Sequence, residues 1–109
     1  MMRQRLWPRR TLLGTAPRTD EIADILRRHL PTPDYQAVLF GSRATGRARP
    51  GSDWDIGISG PAPVRGGVLQ AIRDDLEDLR TLHRFDVVDL TTVPESFRTR
   101  ALEHCERLL

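Results

Sequence analysis

Asp53 and Asp55 stand two residues apart in Ser52-Asp53-Trp54-Asp55-Ile56, about ten residues after the turn Gly41-Ser42-Arg43. Two carboxylates at i and i+2 of a strand project from one face. At that spacing they repel, and burial would push one toward its neutral form. A divalent cation removes this cost and keeps both ionised. Hard oxygen donors suit Mg²⁺ or Mn²⁺, which retain waters and bind phosphate oxygens. The turn supplies the complementary half of such a site. Glycine lets the backbone approach a phosphate, and successive N–H groups can form an anion-binding nest. The Ser42 hydroxyl can donate to a phosphate oxygen, and Arg43 offers a forked cation that could instead pair with a local carboxylate. Together the two segments point to chemistry on a nucleoside triphosphate.

A two-metal arrangement asks for a third carboxylate. The candidates are Asp86 and Asp89 in Phe85-Asp86-Val87-Val88-Asp89-Leu90. They fall on opposite faces of one strand. Asp89 shares its face with Phe85 and Val87, the apolar side that matches Trp54, Ile56 and Ile58. Asp86 is therefore the better match to Asp53 and Asp55, and Asp89 is expected to end the strand or meet the next helix.

The elements that must position these groups follow from hydrophobic period. Thr19 is expected to cap a helix from Asp20 to about Leu30, with Ile22, Ile25, Leu26 and Leu30 inward. His29 falls in its last turn, where a cation is favoured. Pro31 and Pro33 end it. Tyr35 to Phe40 reads as a buried strand, Gly41 to Gly51 as a flexible polar loop on which Arg47 and Arg49 are exposed. Asp53 to Ser59 alternates as a second strand. Val68, Leu69, Ile72, Leu76 and Leu79 mark a helix reaching about Leu82, with Asp74 and Asp75 among its solvated residues. Phe85 to Leu90 is a third strand. Thr92-Val93-Pro94-Glu95 has the form of a capping box opening a last helix, with Phe97, Ala101, Cys105 and Leu108 on one stripe. His83 and His104 read as surface residues, and Cys105 as core. This order predicts an α+β domain, a small mixed sheet with helices on one side.

Composition narrows the chemistry further. The chain has 109 residues, and all seventeen basic residues are arginine. Without lysine there is no Walker A loop and no Schiff-base chemistry. Five arginines lie in residues 1–18, where Asp and Glu are absent, and the other twelve face fifteen acidic residues. A flexible basic arm over 1–18 is thus expected ahead of a domain over 19–109, and only that arm suggests nucleic-acid contact. Trp7 within it could stack on a base. Cys105 is the only cysteine, which excludes an internal disulfide. No run approaches the ~20 apolar residues of a membrane span, so a cytoplasmic protein without membrane contact is expected.

Gly41-Ser42-Arg43-Ala44-Thr45-Gly46, Ser52-Asp53-Trp54-Asp55-Ile56 and Phe85-Asp86-Val87-Val88-Asp89 together resemble the DNA polymerase β-like nucleotidyltransferase superfamily, and within it the minimal nucleotidyltransferases (MNT proteins) of prokaryotes. The resemblance runs from about Thr19 to the C-terminus. It implies the polymerase β-like fold, Gly41 and Ser42 on the triphosphate of ATP, and Asp53, Asp55 and Asp86 as ligands of two Mg²⁺ ions. It implies transfer of a nucleoside monophosphate, AMP in particular, to an acceptor hydroxyl with release of pyrophosphate. Small members of the family pair with a helical HEPN partner as the antitoxin of a toxin–antitoxin module. The domain is too short to enclose an acceptor, so a partner is expected to supply one. The alternatives are a small-molecule acceptor, as in aminoglycoside nucleotidyltransferases, and a non-catalytic antitoxin that neutralises its toxin by contact.

Overall fold

A computed structural model describes residues 17–48, 53–79, 81 and 83–109. Eight elements follow one another among the described residues: α1 (Thr19–His29), β1 (Gln36–Phe40), α2 (Ser42–Thr45), β2 (Trp54–Ser59), α3 (Gly66–Glu77), β3 (Phe85–Asp89), α4 (Glu95–Glu103) and β4 (Glu106–Arg107). The strands form one sheet in the order β3-β2-β1-β4. β1 runs antiparallel to β2 and β4, whereas β2 and β3 are parallel. The fold is α+β around a mixed sheet.

The period-two alternation of β2 sorts the sheet into two faces. Trp54, Ile56 and Ile58 join Ala37, Leu39 and Val87 beneath Ile22, Ile25 and Leu26 of α1 and Ile72 and Leu76 of α3. The opposite face carries a smaller cluster in which Val38 and Phe40 meet Leu90 and Ala101, with Val88, Val93 and Phe97 packed against it. Phe97 of α4 stands edge-on to Phe40, ring centroids 6.0 Å apart. Helices therefore cover both faces, correcting the expectation of one covered side. Val38 and Phe40 are apolar on the face away from α1, and α4 is what buries them. Gly57 makes room there: a side chain on it would run into Leu90.

Several local expectations shift. The N-cap of α1 is Arg18 rather than Thr19; the Glu21 carboxylate accepts the Arg18 N–H at 3.1 Å. Pro17 is buried and Arg18 caps α1; the rest of the expected arm, residues 1–16, lies outside the described residues. The loop after β1 contains the short helix α2, and α3 already starts at Gly66 and stops at Glu77. The Asp75 carboxylate is not merely solvated: it meets His29 Nε2 at 2.6 Å and Arg28 at 3.3 Å, joining α3 to α1. The capping box does not form, because the Thr92 hydroxyl turns back to the Asp89 carbonyl at 3.0 Å and Pro94 is the N-cap of α4. The stripe through Cys105 also breaks. α4 ends at Glu103 and the chain turns into β4, leaving Cys105 exposed while Leu108 crosses to the main core.

Asp89 ends β3 as expected, on the core face opposite Ile58. It is 7% exposed, and its carboxylate accepts the Val64 N–H at 2.8 Å, the Thr91 N–H at 2.9 Å and the Thr91 hydroxyl at 2.7 Å. It thereby ties the approach to α3 to the end of β3. Removing it strands buried donors, each costing about 1–3 kcal/mol. Asp89→Ala should lower stability by about 2–4 kcal/mol in urea unfolding; a loss below about 0.5 kcal/mol would contradict this role.

Candidate active site

The parallel register of β2 and β3 sets Asp55 directly opposite Asp86, and the antiparallel register of β1 sets Phe40 opposite Asp55 on the other side. Paired residues project to the same face. Asp55 and Asp86 therefore share the sheet face that carries Phe40, away from the α1–α3 core. Asp53 immediately precedes β2, which starts at Trp54, and alternation puts it on the same side. Its carboxylate is exposed and lies 3.8 Å from the Arg84 guanidinium. Asp89, on the core face, is absent from this group.

Burial holds the Asp55 carboxyl above the usual carboxylate range, and the negative charges of Asp86 and then Asp53 push it the same way. Among the described residues, however, no three acidic, His or Cys side chains are gathered closely enough to enclose one ion. The donor set is all hard oxygen, from side chains on one sheet face, which fits Mg²⁺ or Mn²⁺.

Gly41 adjoins the acids. It takes φ +76° and ψ −156°, and a Cβ built on it would collide with the Asp55 Oδ2 atom. The turn after β1 therefore needs glycine for two reasons: a left-handed backbone, and close approach to the carboxylate. From there α2 makes a single turn. The Gly41 carbonyl accepts the Ala44 and Thr45 N–H groups at 3.1 and 3.2 Å, and Gly46, at φ +76°, closes it. Gly41 and Ser42 thus lie at the same end of the sheet as Asp55, half-buried.

Arg43 is half-buried and turned toward the other face. Its guanidinium lies 4.9 Å from the Trp54 ring centroid, and one terminal nitrogen is 3.1 Å from His83 Nδ1. Trp54 Nε1–H donates to the same His83 nitrogen at 3.1 Å. The expectation of a surface His83 is thereby corrected. The strand register, which pairs Trp54 with Phe85, brings the residue two before Phe85 beside the indole, and hydrophobic period carries no such information. Arg47 is exposed, Arg49 falls outside the described residues, and the exposed His104 lines a cleft with Ala44, Thr45 and Arg47.

The model of the family described as "Nucleotidyltransferase domain" matches residues 19–108. The chain belongs to the nucleotidyltransferase domain family. A Haemophilus influenzae relative called "Probable protein adenylyltransferase MntA" is 32% identical over 66 residues, covering 61% of this chain and 58% of that protein. The match thus spans a little over half the length of that relative. Among solved structures, a toxin–antitoxin pair with AMP-PNP superposes with a TM-score of 0.65 at 21% identity, over 84% of this chain and 72% of that one. A tri-AMPylated Shewanella oneidensis HEPN toxin in complex with MNT antitoxin gives a TM-score of 0.58 at 19% identity, over 84% and 68%. These likenesses establish the fold.

The raised Asp55 carboxyl sets a sign for pH dependence. A carboxyl raised in the folded state favours the protonated native form, so stability falls as pH rises from the unfolded value of 3.8 through the higher folded value, and the cost is complete above it. Asp55→Asn removes that cost. At pH 7 the variant should melt a few degrees higher than the unsubstituted protein, and its stability should lose this component of the decline above about pH 4. Mg²⁺ or Mn²⁺ should raise the melting temperature of the unsubstituted protein and not that of the variant. A variant that melts lower at pH 7, or is stabilised equally by the cation, would contradict the assignment.

Proposed function

We propose that this nucleotidyltransferase-family chain transfers AMP from ATP to a hydroxyl of a partner protein, as the antitoxin of a HEPN–MNT pair. The observation that carries the reading is Asp55 opposite an exposed Asp86, on the face that α4 covers only in part, with the Gly41 backbone against Asp55. A relative named as a protein adenylyltransferase, and neighbours that include an antitoxin bound to an AMPylated HEPN toxin, support the choice of donor and acceptor.

In this reading Gly41 and Ser42 hold the triphosphate through backbone N–H groups and the Ser42 hydroxyl. Asp53, Asp55 and Asp86 hold up to two Mg²⁺ ions, for which Mn²⁺ can substitute. The ions, when bound, neutralise the carboxylates and the triphosphate and lower the pKa of an acceptor hydroxyl. The acceptor oxygen attacks the α-phosphorus in line; the bond from that phosphorus to the bridging oxygen breaks, and pyrophosphate leaves with the electron pair. Asp86, exposed beside the incoming acceptor, takes the hydroxyl proton. The partner supplies the acceptor surface, since the sheet face around Asp86 is open.

The test is incubation with ATP, Mg²⁺ and a helical HEPN-type toxin from the same genome, followed by intact mass of both chains. An adduct of AMP mass is expected on the partner, with the rate lowered about 10²–10³-fold by Asp55→Asn or Asp86→Asn. If no adduct forms and the double variant still neutralises the toxin, the transfer reading fails and neutralisation is by contact. Turnover of a small-molecule hydroxyl without any partner would instead move the acceptor to the aminoglycoside-type class.

A further inference from the structure

Arg43 meets its ring partners away from the carboxylates, and three chain segments converge on it. It follows Gly41 and Ser42 on α2; Trp54 opens β2 between Asp53 and Asp55; His83 leads into β3 ahead of Asp86. These are the three segments that carry the candidate site. We infer that Arg43, Trp54 and His83 form a clamp that fastens the glycine–serine turn to the carboxylate strands, and that His83 is a positioning residue for nucleotide binding. This rests on the proposed function for what the turn binds, while the clamp itself stands on the geometry.

Arginine and the indole N–H can only donate, so His83 Nδ1 is the acceptor for both and Nε2 carries the ring proton. The guanidinium gains in addition the face of the Trp54 ring at 4.9 Å. Trp54 is itself fixed, being buried, tilted against Phe85 at 6.3 Å between centroids and edge-on to His83 at 6.0 Å. The fixed partner is thus the strand pair, and the held partner is α2, a single helical turn. Gly41 must sit against Asp55 at a distance that no side chain tolerates, so a small drift of α2 would open the gap that a triphosphate has to span. Lysine at position 43 would keep the charge and lose the planar fork that both contacts use.

Amide hydrogen exchange tests the clamp without any nucleotide, and calorimetric titration with ATP and Mg²⁺ tests its consequence. In His83→Leu the amides of Ala44 and Thr45 in α2, and of Arg47 just after it, should exchange roughly tenfold faster, and ATP should bind roughly tenfold more weakly, since a lost hydrogen bond to a charged group is of that order. Arg43→Gln, which also loses the Trp54 ring, should give both changes at least as strongly, and the double variant clearly less than the sum of the two. His83→Asn, whose Oδ1 falls near the place of Nδ1, should restore most of both. Unchanged exchange in the sheet amides of Ile56 and Val87 shows that the variants are folded; if His83→Leu does not fold, Arg43→Gln and His83→Asn carry the same comparison. The clamp is overturned if α2 exchange is unaffected in the folded variants, or if the Arg43 and His83 effects add. A loss of ATP affinity in Arg43→Gln with none in His83→Leu would overturn it too and make Arg43 a direct phosphate ligand. Failure of the unsubstituted protein to bind ATP would sink the proposed function and leave the exchange result to decide the clamp.

Discussion

Asp55 and Asp86 face each other across two parallel strands, and like charges placed so close oppose folding at neutral pH. The register that causes this also buries Ile56 and Ile58 against α1 and α3, so the repulsion cannot be relieved by sliding one strand. Moving β3 by one residue would turn Asp86 inward and Val87 out. The hydrophobic core thus holds the acids in opposition, and a cation is the natural way to offset that repulsion.

The surrounding features follow from that opposition. Gly41 is glycine because the Asp55 carboxylate occupies the volume that a side chain would need. α4 covers Val38 and Phe40 on the acidic face while Asp86 stays exposed. Asp89 uses the other face of β3 to gather the Val64 and Thr91 donors, so two aspartates three positions apart on one strand meet different surroundings, one buried and one exposed.

Much of this was legible in the residues because strand alternation is strict. Trp54, Ile56 and Ile58 against Asp53 and Asp55 assign the faces of β2 without any structure, and the same parity separates Asp86 from Asp89. What period could not convey was tertiary. Val38 and Phe40 show only that β1 is apolar on both faces, and the packing of α4 on the second is a fact about the chain path. Cys105 falls at helical spacing from Ala101, but pairing of β4 with β1 ends the helix first. Thr92 fits a capping box until the Asp89 carbonyl offers its hydroxyl a nearer partner. His83 has no periodic signature at all; its partners are set by the pairing of β2 with β3.

In the function proposed above, the acidic face and the Gly41 turn bind a nucleoside triphosphate only together with divalent cations. Calorimetric titration of the intact chain with ATP, in Mg²⁺ and again in EDTA, addresses it most directly. Saturable one-site binding is expected in Mg²⁺, lost in EDTA and lost in Asp55→Asn/Asp86→Asn. Equal ATP affinity in EDTA, or full Mg²⁺-dependent affinity in the double variant, would contradict it.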